Sequence, residues 1–279
     1  MSGLLRLQEL VRPVRDMTAS LAFYTGALGF SAEAVPHFDD ALLASAWGER
    51  PRGFMRLRLG GQRLLLAACE GSETPADGGA TDPRFQHIAI VTRNMAAAWE
   101  LLSTWRPGAI SQGGPQQLPA SSGGVKAVKF RDPDGHPVEL LEFPPARLPQ
   151  HWAEAGDGGD GGSCLTLGID HSAITVTDAD RSIAFYHHTL GLRQQARQRN
   201  QGPEQARLDG LPAPLVQVVA LAPPHPAPHL ELLAYQAEHR PTSPTGPKGR
   251  PRTITLWAGG GALSHLLTDP DGHTHLVLP

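Results

Sequence analysis

The pentapeptide Asp-Pro-Asp-Gly-His occurs at Asp132–His136 and again at Asp269–His273, 137 positions later. Asp first, Pro second and Gly fourth suit a tight type I turn between two strands. A second segment repeats with it: SLAFYTGALGF at Ser20–Phe30 returns as SIAFYHHTLGL at Ser182–Leu192. Internal duplication of this kind limits the available folds more than any composition does.

Each copy of the second segment follows an apolar strand, LQELVRPV in one case and DHSAITV in the other. Its apolar residues fall at helical spacing, and Gly29 or Gly191 follows where a left-handed cap would end a helix. Both copies continue to a late apolar strand, QRLLLAAC or PHLELLAY. Between them lies FQHIAIV, a helix NMAAAWELLSTW, and a hairpin VKAVKFRDPDGHPVELLEF; the chain closes on a similar hairpin, ALSHLLTDPDGHTHLVL. The unit is strand–helix–strand–strand–strand, four times over. Stretches rich in Gly and Pro near 71–84, 144–163 and 237–252 separate the units and read as loops or linkers.

The repeat is imperfect. The helix segment recurs after 162 residues but the turn after 137, so the second half is 25 residues shorter between them. His87 precedes Asp132 by 45 positions, whereas Thr253, the matching start of unit four, precedes Asp269 by 16. Leu65 to His87 and Glu231 to Thr253 are both 22, which supports that register. Unit four should lack its helix and one strand. In chain order the units divide into 1–146 (units one and two), a Gly-rich linker 147–163, and 164–279 (unit three and the shortened unit four).

A net charge of −3 gives no electrostatic reason to expect nucleic acid or an anionic membrane as partner. The N-terminus carries no signal-peptide pattern and no apolar run reaches spanning length. Two cysteines, Cys69 and Cys164, make neither a disulfide framework nor a thiolate cluster. These features predict a cytoplasmic, water-soluble protein.

The His-bearing strand, the S-x-A-F-Y…L-G helix and the DPDGH-x-x-E-L hairpin together resemble the vicinal oxygen chelate superfamily. That group includes glyoxalase I, extradiol ring-cleaving dioxygenases and the bleomycin resistance proteins. The resemblance runs from about Leu4 to Leu278. It implies an α+β fold of four βαβββ modules, the last truncated, forming two cupped mixed sheets with helices outside. It further implies metal ligands from the first and last strand of each unit. In that register unit one offers Glu9 and Leu65, unit two His87 and Glu139, unit three His171 and Glu231, and unit four Thr253 and Leu276.

The residues support the same selection. Alternation places His87, Ala89 and Val91 on one strand face and Ile88 and Ile90 on the other. His171, Ala173 and Thr175 repeat that pattern. Glu139 and Glu231 interrupt apolar strands, where a carboxylate is costly to bury without a cation or hydrogen bonds. Two imidazoles and two carboxylates suit one divalent ion of zinc, iron, manganese, nickel or cobalt. By contrast, His275 aligns with Val138 and should face away, His136 and His273 belong to the turns, and His187 and His188 sit on a solvated helix face.

Pairing units in chain order would split the four ligands between two cups. Crossed pairing, two with three and one with four, would gather them in one, and is the arrangement we expect. Asn200, Gln201, Glu204 and Gln205 fall where the second strand of unit three should line the cup, and His229 and Tyr235 share the face of Glu231. These six are candidate substrate contacts, for a small molecule. The resemblance implies a glyoxalase-type isomerase or lyase in which Glu139 or Glu231 moves a proton. Two other readings stand beside it: an Fe²⁺ extradiol-type dioxygenase, and a non-catalytic sequestering protein. A tandem chain can complete its cups alone and is also compatible with a homodimer.

Overall fold

The computed structural model describes residues 5–35, 38–72, 79–154, 165–224, 228–236, 251–259 and 263–279. Unit one contains β1 (Arg6–Val14), α1 (Met17–Leu28), β2 (Ser31–Ala34), α2 (Ala41–Trp47), β3 (Phe54–Leu59) and β4 (Gln62–Ala68). Unit two has β5 (Gln86–Thr92), α3 (Met95–Thr104), the two-residue strands β6 (Gly108–Ala109) and β7 (Gln116–Gln117), β8 (Lys126–Arg131) and β9 (Pro137–Glu142). A short helix, α4 (Gln150–Ala153), precedes unit three: β10 (Thr166–Thr175), α5 (Ala179–Leu190), β11 (Arg193–Gln201), α6 (Pro203–Asp209), β12 (Leu215–Ala222) and β13 (His229–Tyr235). Unit four retains β14 (Ile254–Ala258), β15 (His265–Thr268) and β16 (Thr274–Leu278), with no helix among its described residues.

The long helices stop where the sequence indicated, but α1 and α5 begin three residues before Ser20 and Ser182, at Met17 and Ala179. Asp16, Asn94 and Asp178 cap α1, α3 and α5 by accepting the amides of Ala19, Ala97 and Arg181. Gly29 and Gly191 end α1 and α5 at φ 73° and 66°, a left-handed conformation that glycine adopts without a Cβ penalty.

Two open mixed sheets result, and they are crossed. One runs β15-β16-β14-β1-β4-β3-β2, joining units four and one; the other, of nine strands, runs β11-β12-β13-β10-β5-β9-β8-β6 with β7 also paired to β8, joining units three and two. Each sheet therefore takes strands from both sides of segment 147–163. That segment is also less loop-like than its composition suggests. Residues 155–164, including Cys164, lie outside the described residues, but Trp152 on α4 is buried against Val91 and Leu167.

The main core lies on the sheet faces away from the cups. It combines Ile88, Ile90, Ile174 and Val176 with Leu10, Leu64 and Leu66, and with the buried sides of α1, α3 and α5. Gln86 bridges the two sheets by donating to Ser172 and Thr255, each at 3.0 Å.

The repeated motifs prove to be partners. In the first seam the Tyr24 hydroxyl donates to Asp132 Oδ2 at 2.7 Å, Ser20 donates to Asp134, and His136 Nε2 lies 2.7 Å from the Pro13 carbonyl. In the second, Tyr186 donates to Asp269 Oδ2 at 2.8 Å, Thr177 donates to Asp271, and His273 Nε2 lies 2.9 Å from the Thr175 carbonyl. The turn of each even unit thus docks on the helix of the unit before it. His136 and His273 are structural here, and His275 faces this seam rather than a cup.

The cup of the seven-stranded sheet is filled. Leu43 and Trp47 of α2 pack on Val11, Leu65, Ile254, Leu256 and Leu276. Val11 pairs with Ile254, and Glu9 and Leu276 both pair with Leu256. The ligand register of unit four is therefore Ile254 and Leu276, one residue on from Thr253. Glu9 is buried, yet both its oxygens are held by Arg56 at 2.9 and 3.1 Å. Cys69 also lies in this apolar cluster, where burial pushes its thiol up to about 12.

Candidate metal centre

The centre of the nine-stranded sheet is the antiparallel pair β5 and β10, flanked by parallel partners β9 and β13. In this register His87 lies opposite Ala173 and His171 opposite Ala89. Glu139 flanks Ala89, and Glu231 flanks Ala173. Each imidazole thus has an alanine beside it and a carboxylate two residues along the neighbouring strand. The small side chains leave room, and the near two-fold arrangement turns both His–Glu pairs toward one cavity of about 700 Å³.

Ligating atoms of His87, Glu139 and His171 all lie within 4.8 Å of one another. His87 Nε2 is 2.8 Å from Glu139 Oε2, and His171 Nε2 is 3.9 Å from that oxygen and 3.5 Å from Glu231 Oε2. His87 Nε2 and Glu139 Oε2 thus stand at ion-pair distance. Both nitrogens of His87, and Nε2 of His171, are buried with no aligned hydrogen-bond partner among the described residues. Buried imidazole nitrogens left unpaired beside carboxylates are what a cation would satisfy. Three carboxylates, Glu139, Asp170 and Glu231, line the same cavity. The residues present therefore fit a divalent ion held by His87, Glu139 and His171, with Glu231 beside them.

The electrostatics agree. Burial pushes His87 below its ordinary range against the pull of Glu139. Burial opposes ionisation of Glu139, but the Lys129 charge, with His87 and His171, holds it down to about 2. Glu231 is likewise lowered against burial, chiefly by the His171 charge. For His171 burial opposes the cation, yet Glu231, the Asp170 hydrogen bond and Glu139 raise it to about 9.

Asp170 is the residue that sequence alternation misses. Its Oδ2 lies 2.9 Å from His171 Nδ1, leaving Nε2 to face the cavity. Trp152 Nε1 donates to the other oxygen at 2.8 Å. Neighbouring strand residues normally face opposite ways. Here the register of β10 against β5 slips between Ile169 and His171, and this bulge brings Asp170 and His171 to the same side. Gly168 completes the clamp, since a Cβ there would meet the Trp152 ring at 2.6 and 2.7 Å. The sequence signal was an Asp-His pair inside an otherwise apolar strand.

Of the six candidate substrate contacts, the cavity wall includes Asn200, Gln205 and His229. His229 Nε2 stands 3.6 Å from Glu231 Oε1. Gln201 is exposed at the end of β11, and Glu204 pairs with Arg207 at 3.7 Å; neither lines the cavity. Tyr235 is buried behind the wall, where burial and then the Asp209 carboxylate push its phenol well above the ordinary value. Segment 199–209 is the end of a strand followed by α6, which turns Gln205 inward and leaves Glu204 outside.

A family model described as the Glyoxalase/Bleomycin resistance protein/Dioxygenase superfamily matches residues 6–140 and 168–276. No curated protein matches the chain. Among solved structures, glyoxalase I from Zea mays is 14% identical, covering 98% of this chain and 92% of its own, with a TM-score of 0.54. A point mutant of that maize enzyme is 15% identical, with 98% and 93% covered and a TM-score of 0.55. A putative dioxygenase from Bacillus subtilis is 12% identical, with 99% and 86% covered and a TM-score of 0.57. At these identities the likeness is one of fold.

Proposed function

Since the chain belongs to the glyoxalase/bleomycin resistance protein/dioxygenase superfamily, we propose that it is a metal-dependent enzyme acting on a small substrate through two vicinal oxygens, with isomerase or lyase chemistry of the glyoxalase I kind. The observation that carries this reading is the convergence of His87, Glu139 and His171, with Glu231 adjoining, around unpaired buried nitrogens. A divalent ion there would polarise a substrate carbonyl and stabilise charge developing on its oxygen.

The two carboxylates differ in how firmly they are held. Glu139 lies between the Lys129 charge and His87, with its side chain 9% exposed. Glu231 is 20% exposed on its side chain and adjoins His229. Glu139 serves as the fixed ligand. Glu231 takes a proton from the hydroxyl-bearing carbon and returns it to the neighbouring carbonyl carbon while the hydroxyl proton passes to the former carbonyl oxygen, and His229 steadies the Glu231 side chain. Asp170 fixes the His171 ring.

Zinc- or nickel-loaded protein should exchange the hydroxymethylene protons of hydroxyacetone with D₂O, read by NMR. Glu231→Gln should keep the metal and stop the exchange. Protein that retains none of the five divalent ions would refute the reading.

One observation favours a second reading. The tightest donor set, His87, Glu139 and His171, is two histidines and one carboxylate, which suffices for Fe²⁺ oxygen chemistry. Oxygen uptake by iron-loaded protein with a catechol, and no exchange of hydroxyacetone, would select it.

A further inference from the structure

Two buried amides in the cavity have no partner among the described residues for their carbonyl oxygens. Gln205 is 4% and Asn200 5% exposed, both line the cavity, and Gln205 Oε1 and Asn200 Oδ1 are unpaired. The orientation of Gln205 is determined. Its Nε2 donates to Asp209 Oδ2 at 2.7 Å, and Asp209 Oδ1 receives Lys129 Nζ at 2.7 Å. An ionised carboxylate only accepts, so the amide nitrogen must face Asp209 and the oxygen is left over. Lys129 ties this cluster to the centre, since it pairs in register with Glu139.

The charge of the wall is equally selective. Glu139, Asp170 and Glu231 face the cavity, and among the described residues Lys129 is its one lysine and no arginine lines it. Lys129 is already matched by Asp209, so an anionic group away from the metal centre finds no free lysine or arginine among the described residues. Leu118, Leu208, Val218 and Leu233 supply apolar wall between the polar groups.

We propose that Gln205 and Asn200 form a specificity subsite that selects an uncharged substrate bearing a hydrogen-bond donor, a hydroxyl or amide N–H, on an apolar body beyond its two vicinal oxygens. This rests on the metal-centre reading above. The donor completes a buried acceptor that otherwise loses its hydration for nothing, and a net hydrogen bond of that kind is worth about 3- to 10-fold in affinity.

Aryl hydroxamates test it, because their two oxygens chelate a metal and their rings can carry the donor. Calorimetric titration of zinc-loaded protein would use benzo- and phenylaceto-hydroxamates with para-hydroxyl, para-methoxy or para-carboxylate groups. At one chain length or the other, hydroxyl should bind about 3- to 10-fold more tightly than methoxy, and carboxylate weakest. In Gln205→Leu the hydroxyl-to-methoxy ratio should fall to about 1, and Asn200→Ala gives a second variant should the first not fold. No hydroxyl preference at either length, a carboxylate preference, or a preference surviving both variants would overturn the subsite. The wild-type ranking stands whatever the variants do. Acetohydroxamate has nothing to reach the subsite and reports the centre alone. Its failure to bind would sink the metal-centre reading, whereas its binding without hydroxyl preference would sink only the subsite.

Discussion

Asp132 and Asp269 occupy the same place in the two copies of the turn, yet replacing each by Asn should have unequal cost. Both carboxylates accept two turn amides through Oδ1 and a tyrosine hydroxyl through Oδ2. Their further neighbours differ. Asp132 faces Arg12, which is wholly buried and whose other polar partners among the described residues are the Tyr24 hydroxyl and the Pro137 carbonyl. Asp132→Asn would leave that guanidinium with neutral acceptors, and stranding one charge of a buried pair costs ~3–5 kcal/mol. The position answering to Arg12's charge in the second seam is neutral. Trp257 Nε1 donates to His275 Nδ1, so Nε2 carries the proton and donates to Tyr186, which donates to Asp269. Asp269→Asn ends this relay without stranding a cation, and should cost ~1–2 kcal/mol, one charged hydrogen bond less the relief of burying a carboxylate. Urea unfolding followed by tryptophan fluorescence should separate the variants by ~2–3 kcal/mol, against a total stability of ~5–15 kcal/mol. Equal losses, or a larger loss at Asp269, would refute the reasoning.

His87→Ala and His171→Ala should each abolish metal retention, measured by elemental analysis after dialysis. Wild-type protein should bind one equivalent per chain, because the other cup is filled and its Glu9 is held by Arg56; two tightly bound equivalents would contradict this. Asp170→Asn should weaken metal affinity about 10- to 100-fold in chelator competition, since the carboxylate fixes the His171 ring; unchanged affinity would make Asp170 merely structural. Metal-free protein should lose stability on acidification. Burial holds His136 and His275 down to about 4, so unfolding takes up protons as pH falls below the unfolded value of about 6.5. Each costs ~2 kcal/mol between pH 7 and pH 5. His171, raised to about 9, acts in the opposite direction and returns only part of this, leaving a net loss of ~3 kcal/mol. Denaturant midpoints that stay level or rise between those pH values would show that these histidines are not held neutral.

How far the sequence reveals this molecule depends on whether a feature survives simple counting. The duplicated turn and helix survive it, because both copies keep their length, and so do the His–Glu registers of β5 with β9 and β10 with β13. Counting fails where the backbone slips. Strict alternation puts Asp170 on the far face of β10, and the bulge at that residue brings it into the site. Thr253 was one residue out, because the pairing of β14 with β1 places Ile254, not Thr253, beside Val11. The polar run 199–209 gave composition without direction, so Gln201 and Glu204 looked as suitable as Asn200 and Gln205. The filling of the second cup was readable in part: DDALLASAWG has an acidic start, helical apolar spacing and a terminal glycine. Its destination, on the sheet face where unit one would otherwise hold ligands, was not.

Why should a shortened unit with no ligands be present at all? The four units form a closed ring of contacts. Units two and three share one sheet, and units one and four the other. The turn of unit two locks onto unit one through Asp132 and Asp134, and the turn of unit four locks onto unit three through Asp269 and Asp271. Every unit is held by one sheet neighbour and one seam neighbour. Without unit four, β1 would become an open edge, and the Tyr186 hydroxyl on α5 would lose both Asp269 and His275. An exposed strand edge and a buried unpaired phenol are both costly. Unit four can lose its helix because the seam and the sheet use only β14, β15, β16 and the turn. Its cup, freed of ligands, is closed by α2. The sheet that brings His87, Glu139, His171 and Glu231 together is then braced by units one and four, which among the described residues contribute nothing to the wall of that cavity.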